Sequence, residues 1–203
     1  SLGVTLVYVI GLTVLSVAGG LAIALLLNTG IRGVTFYRIL YFIPVVTATV
    51  AAATVWKYLL DPGSGLVNLT LRQLGIPGPA WLSDPNFALL AVILVGVWKR
   101  VGFNMVIYLA GLQPIPRTYY EAAEVDGATK QQRFRYITLP LLMPTTALVS
   151  ILSLIDAFLA FDTIFVMSNG TGGPAGSTEV MGFLLWREPV RYSNLGDACA
   201  IGW

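Results

Sequence analysis

The chain has 203 residues, 56% of them hydrophobic and only 11% charged, with a net charge of +2. Soluble domains carry about 25% charged residues, so this composition is that of a membrane protein, and no basic run is present to grip nucleic acid. With no His and the single Cys199, a histidine-based catalytic centre, a disulfide framework and a zinc site are all disfavoured, and no Gly-rich loop ending in Lys-Ser/Thr offers ATP a P-loop, so neither cofactor nor metal is expected here.

A bilayer core needs about 20 apolar residues of helix, and four runs reach that length in chain order. Residues 4–27 carry no charge, and 37–60 carry only Lys57 near the end. Residues 87–112 contain Lys99 and Arg100, and 139–167 contain Asp156 and Asp162. Residues 195–203 read as the opening of another helix. The connections 61–86 and 168–194 are rich in Gly and Pro, whereas 113–138 is polar with a helical pattern. No soluble domain interrupts the chain, so 1–203 is expected to be a single bundle. Gly20/Ala24 and Ala48/Ala52 have the four-residue spacing of small side chains that lets helices approach closely in lipid.

Lys and Arg in short loops set orientation. The connections 28–36 and 113–138, with Arg38, hold Arg32, Arg38, Arg117, Lys130, Arg133 and Arg135, against Arg72, Arg187, Arg191 and the nearby Lys57 in 61–86 and 168–194. This bias puts 113–138 in the cytoplasm. Trp56, Tyr58, Trp81 and Trp186 then fall near the outer interface, where aromatic rings favour the headgroup layer.

Inside 113–138, Pro116 suits the first turn of a helix because its missing N–H costs nothing there. Good helix formers continue to Val125, and Asp126-Gly127 bends the chain. Thr129 is placed to cap a second short helix running through Gln131, Gln132 and Phe134 towards Ile137, before Pro140 opens the next run. Ala122, Ala123, Val125 and Ala128 make a smooth surface flanked by Tyr119, Tyr120 and Phe134. Such a shape suits insertion into a groove on a partner. Lys130, Arg133 and Arg135 equally suit an amphipathic helix lying on the membrane.

Glu121-Ala122-Ala123, then Gly127, then Ile137 and Leu139-Pro140 resemble the "EAA" signature of permease subunits in binding-protein-dependent ABC importers. Arg38 before Phe42-Ile43-Pro44 resembles the carbohydrate-uptake branch, which includes maltose and glycerol-3-phosphate permeases. Trp98, Leu112-Gln113-Pro114-Ile115-Pro116, Phe161-Asp162-Thr163 and Gly172-Gly173-Pro174 resemble it too, in order and spacing. Ser168-Asn169-Gly170-Thr171 is slightly longer than usual. The likeness runs through essentially the whole chain. It implies an all-α membrane protein, the helical bundle of a type I ABC importer permease, with about six spans when complete. Four complete spans plus the start of another are expected here, truncated at both ends.

The resemblance further implies that the coupling loop 113–139 docks on ABC ATPase subunits through Glu121, Ala122, Ala123, Asp126, Gly127, Ile137, Leu139 and Pro140. ATP hydrolysis would then occur on those partners and this chain would not be an enzyme. A second, different permease subunit and a soluble solute-binding protein would complete the assembly in a prokaryotic cell membrane. The solute implied is a sugar or a polyol phosphate.

A charge at the centre of a membrane helix costs about 2.5–3.5 kcal/mol on insertion scales, so Lys99, Arg100, Asp156 and Asp162 should face one another or a watery cavity. Pairing between helices is one reading. In the other, Lys99, Asn104, Asp156 and Asp162 line a substrate pathway, with Tyr108 and Gln113 as further hydrogen-bonding groups. Trp98-Lys99 resembles the glycerol-3-phosphate permeases, and a cation suits a phosphate. The competing function classes are an ion-coupled secondary carrier, which predicts inverted repeats, and a membrane-embedded enzyme reduced to Asp pairs.

Overall fold

The computed structural model describes residues 1–29, 33–192 and 196. Arg32, Cys199 and all of the expected helix opening at 195–203 except residue 196 lie outside the described residues. Eleven α-helices follow in order among those described: α1 (Leu2–Leu27), α2 (Val34–Val46), α3 (Thr49–Leu59), α4 (Leu66–Gln73), α5 (Pro85–Leu112), α6 (Arg117–Val125), α7 (Lys130–Arg133), α8 (Leu139–Leu141), α9 (Met143–Phe158), α10 (Asp162–Met167) and α11 (Met181–Tyr192).

Two of the expected spans are continuous helices. α1 is uncharged throughout, and α5 is started by Asp84, whose carboxylate accepts from the Asn86 N–H at 2.9 Å with Pro85 in the first turn. The other two apolar runs are broken. α2 and α3 meet at 101°, and Lys130–Leu141 meets Met143–Phe158 at 64°. Pro44 lies inside α2, where its ring nitrogen gives no hydrogen bond, and the helix ends two residues later. Thr47 and Ala48 are extended, so Ala48 caps α3 instead of sharing a helix face with Ala52. The run 139–167 breaks again at Leu159–Phe161 before α10. Composition and length define where the chain crosses lipid; prolines mark two of the bends, whereas the break at Leu159–Phe161 contains none.

α5 is the centre of the bundle, with α1, α2 and α9 packed on it. One apolar cluster, nearer the N-terminal end of α5, gathers Tyr8, Leu12, Val92, Ile164 and Phe183. A second, nearer the C-terminal end of α5, gathers Ala24, Met105, Tyr108, Leu142 and Val149. Asn104 on α5 lies fully buried, its amide donating to Ser153 Oγ of α9 at 3.1 Å, so a polar tie joins the two helices in mid-span. Such a tie satisfies groups that lipid cannot. The opposite faces expose Leu6, Val7, Ile10 and Val14 on α1 and Leu148, Ile151 and Ile155 on α9. Rows of bare apolar side chains like these are the surface expected against hydrocarbon.

The connection 61–84 is structured around Asn68, which donates to Pro79 O at 3.0 Å and accepts from the Trp81 indole N–H at 2.8 Å. Asp61 accepts from the Ser64 N–H (2.8 Å), the Ser64 hydroxyl (2.9 Å) and the Gly63 N–H (3.0 Å), which together hold its carboxyl below the usual carboxylate range. Of the expected belt aromatics, Tyr58 is exposed, whereas Trp186 packs among Phe161, Phe165 and Phe183. α4 and α11 sit in segments whose Gly and Pro content hid their short helical patterns.

Candidate functional site

Two places concentrate the residues singled out by sequence. The first is a cavity of about 380 Å³ where α1, α2, α3, α5 and the α9–α10 break converge. Lys99, Arg100, Asp156 and Asp162 all border it, together with Phe103, Val45 and Thr49. Arg100 of α5 pairs with Asp156 of α9 at 3.4 Å and lies over the Phe103 ring at 4.6 Å. Lys99 has no carboxylate partner among the described residues. Its ammonium donates to the main-chain carbonyls of Thr47 (2.7 Å) and Pro44 (3.3 Å) at the end of α2. Asp162, in the first turn of α10, makes no ion pair or side-chain hydrogen bond among the described residues and borders the cavity.

Asn104 is away from this cavity, spent on Ser153 within the α5–α9 contact. Tyr108 is buried in the inner cluster and Gln113 is exposed beyond the end of α5. One pair of these charges ties helices, and all four charged groups border a common hollow. Sequence reasoning missed Thr49 and Phe103 as lining residues. The nearby Pro44 was the only signal that the wall there would be a helix break.

The second place is the elbow formed by α6 and α7. α6 ends with Gly127 at φ +78°, a left-handed conformation that only Gly adopts freely. The Gly127 N–H donates to Glu124 O (3.1 Å) and the Ala128 N–H to Ala123 O (2.8 Å), the pair of bonds that defines a Schellman cap. Thr129 starts α7 at once, with its hydroxyl accepting from the Gln132 N–H (3.3 Å) while the Gln132 side chain accepts from the Thr129 N–H (2.8 Å). A helix stop and a reciprocal capping box separated by so few residues make the turn stiff. A five-residue π-helical turn, Phe134–Thr138, then leads into α8. Thr138 is hydrogen-bonded to the Tyr120 hydroxyl at 2.9 Å, and Arg133 pairs with Glu124 at 3.2 Å, so the second arm is tied back onto the first.

This elbow brings Ala122, Ala123, Asp126, Ile137 and Pro140 to one open groove of about 410 Å³, flanked by Tyr119 and Tyr136. Gly127 forms the corner, Leu139 is exposed at the start of α8, and Glu121 is exposed with no ion pair among the described residues. Val125 is 88% exposed, far more than an apolar side chain in a finished interface. Gly127→Val is expected to destabilise the elbow by about 1–2 kcal/mol, the cost of forcing a side chain into left-handed backbone. The check is limited proteolysis of the solubilised protein, in which cleavage between α6 and α7 should accelerate at least about fivefold. Unchanged cleavage would mean the corner tolerates another conformation.

Comparison with known proteins agrees with this architecture. The profile of the family described as "Binding-protein-dependent transport system inner membrane component" matches residues 16–188. The chain is 40% identical over 178 residues to the trehalose/maltose transport system permease protein MalF of Thermococcus litoralis, covering 88% of this chain and 58% of that one. It is 35% identical over 207 residues to the sn-glycerol-3-phosphate transport system permease protein UgpA of Agrobacterium fabrum, covering 98% of this chain and 68% of that one. Three of the relatives it matches are spanned over only 58–66% of their length. Among solved structures, a bacterial alginate ABC transporter in complex with an alginate pentasaccharide-bound periplasmic protein superposes with a TM-score of 0.81 at 25% identity. That match covers 96% of this chain and 69% of the other.

Proposed function

The chain belongs to the family of binding-protein-dependent transport system inner membrane components, in its carbohydrate-uptake branch, and from that premise we propose that it forms half of the translocation path of an ATP-driven saccharide importer. It is a multi-pass inner-membrane protein with the fold of an ABC importer permease. In the proposed assembly the 113–139 elbow docks into a groove on an ATP-hydrolysing subunit, and a second, different permease subunit completes the path. A soluble binding protein delivers the solute at the outer face. The alginate transporter carries a loaded periplasmic protein of that kind, which supports the last assignment.

The single observation that carries the coupling role is the stiff elbow, which gathers four signature residues and Asp126 at one groove and leaves Glu121 exposed with no ion pair among the described residues. A rigid lever transmits displacement; a floppy loop does not. The interfacial-helix reading of the same segment is weaker, because Arg133 is spent on Glu124 rather than left for lipid phosphates.

The cavity supports an uncharged solute over a polyol phosphate. Lys99, Arg100, Asp156 and Asp162 sum to zero, both cations are engaged, and the carboxylate of Asp162 is available to accept hydrogen bonds from sugar hydroxyls. The test is uptake into vesicles reconstituted with the complete permease pair, the ATPase and the binding protein. A neutral disaccharide is expected to accumulate only with ATP and binding protein, and excess glycerol 3-phosphate should not compete. Uptake that persists without ATP would instead favour an ion-coupled carrier, and selective uptake of the phosphate would overturn the solute class.

A further inference from the structure

We infer that Lys99 is a positioning residue that holds the break between α2 and α3 at its angle, instead of a ligand of the transported solute. The inference rests on the proposal that the cavity beside it is part of the path. A helix end leaves carbonyl oxygens without partners, and the helix dipole gathers negative charge there. At the end of α2 the Thr47 hydroxyl takes Pro44 O at 2.7 Å, and Lys99 Nζ spans both Pro44 O and Thr47 O. An ammonium has three donors and a long flexible stem, so it can bridge both carbonyls at once. This also accounts for a cation in mid-span with no carboxylate beside it among the described residues.

α5 grips the bent segment at three nearby positions. At Gly102 the absent side chain lets the α2 main chain at Tyr41 and Phe42 rest directly on α5. At Lys99 the break itself is held. At Trp98 the indole meets Trp56 of α3 edge-on, with centroids 5.4 Å apart. Val45 and Thr49 stand on either side of the break and both line the cavity. The angle that Lys99 holds therefore sets the shape of the cavity wall.

The experiment uses the assembled transporter carrying Cys199→Ser, which removes the only thiol of this chain, together with Thr49→Cys. The rate of modification at position 49 by a charged, water-soluble thiol reagent is read on this subunit by mass, with no solute present. Adding Lys99→Met should change that rate on the order of fivefold, as expected when hydrogen bonds from a charged donor are lost. Lys99→Arg, which keeps the charge and several donors, should restore most of it. An unchanged rate with Lys99→Met in the absence of solute would overturn the inference, and so would failure of Lys99→Arg to restore it. If Lys99→Met does not assemble, Lys99→Gln is measured in its place with the same two outcomes. Because labelling needs no transport, a transporter that carried no saccharide would refute the proposed function while leaving this measurement decisive for Lys99.

Discussion

Glu121→Lys is expected to release the ATPase subunit from the permease pair and to reduce ATP-driven uptake at least about 30-fold. The figure follows from the cost of truncating or reversing one partner of a buried charge pair at an interface, about 2 kcal/mol or more, with 1.4 kcal/mol per tenfold. The expectation rests on the proposed docking role together with one asymmetry of the elbow. Glu124 sits one turn on and already pairs with Arg133, whereas Glu121 is exposed and has no partner among the described residues. A carboxylate held on a stiff helix without an intramolecular partner is preorganised for a cation on another subunit. The measurement is co-purification of the ATPase through a tag on this chain, followed by uptake in vesicles. Glu124→Lys is the comparison: it should loosen the elbow and cost less. If Glu121→Lys retained both the subunit and uptake, the contact would have to lie elsewhere on the loop.

The second large effect is expected at Gly102. A Cβ at this position would collide with the main-chain carbonyl of Tyr41 and touch Phe42. Overpacking of a core typically costs about 1–3 kcal/mol when side chains can shift. Here the obstacle is backbone, which has no rotamer to change, so the upper end of that range applies. Gly102→Leu should lower the thermal midpoint of the solubilised complex and push α2 away from α5, opening the Lys99 contact with the break. Gly102→Ala should act in the same direction more weakly. Gly3→Ala, where nothing lies within 4 Å of the added carbon, should be neutral or slightly stabilising, as Ala favours helix over Gly. A Gly102→Leu complex as stable as the parent would show that α2 is free to slide on α5.

Much of the molecule was legible because the relevant information is local. The uncharged run that became α1 and the run that became α5 announce themselves by length and composition, since lipid demands that each span satisfy its own backbone. The elbow was also legible: Asp126-Gly127 as a stop and Thr129 as a cap are short-range chemistry, and both occur as expected. The reciprocal role of Gln132 went unread, although its place three residues after Thr129 was the signal. The bends in 37–60 and 139–167 were missed because apolar content alone reports insertion and says nothing of straightness. Pro44 in α2 and Pro144 in the first turn of α9 carried that information for two of them.

The part that sequence did not reach is the use made of the charged residues. Residue types and spacing placed Lys99, Arg100, Asp156 and Asp162 in the membrane and required them to find company. Which company was decided in three dimensions. Arg100 finds Asp156 across two helices, and Asn104 is consumed by Ser153. Lys99 finds main-chain carbonyls 52 and 55 residues away. Every residue has a carbonyl, so no side-chain pattern marks the two at a helix break that lack a main-chain partner within the helix. The amino-acid order by itself determined a lipid-embedded bundle with one polar elbow. Only the packing of α2 on α5 determined what its central cation holds, because that depends on backbone groups exposed by geometry.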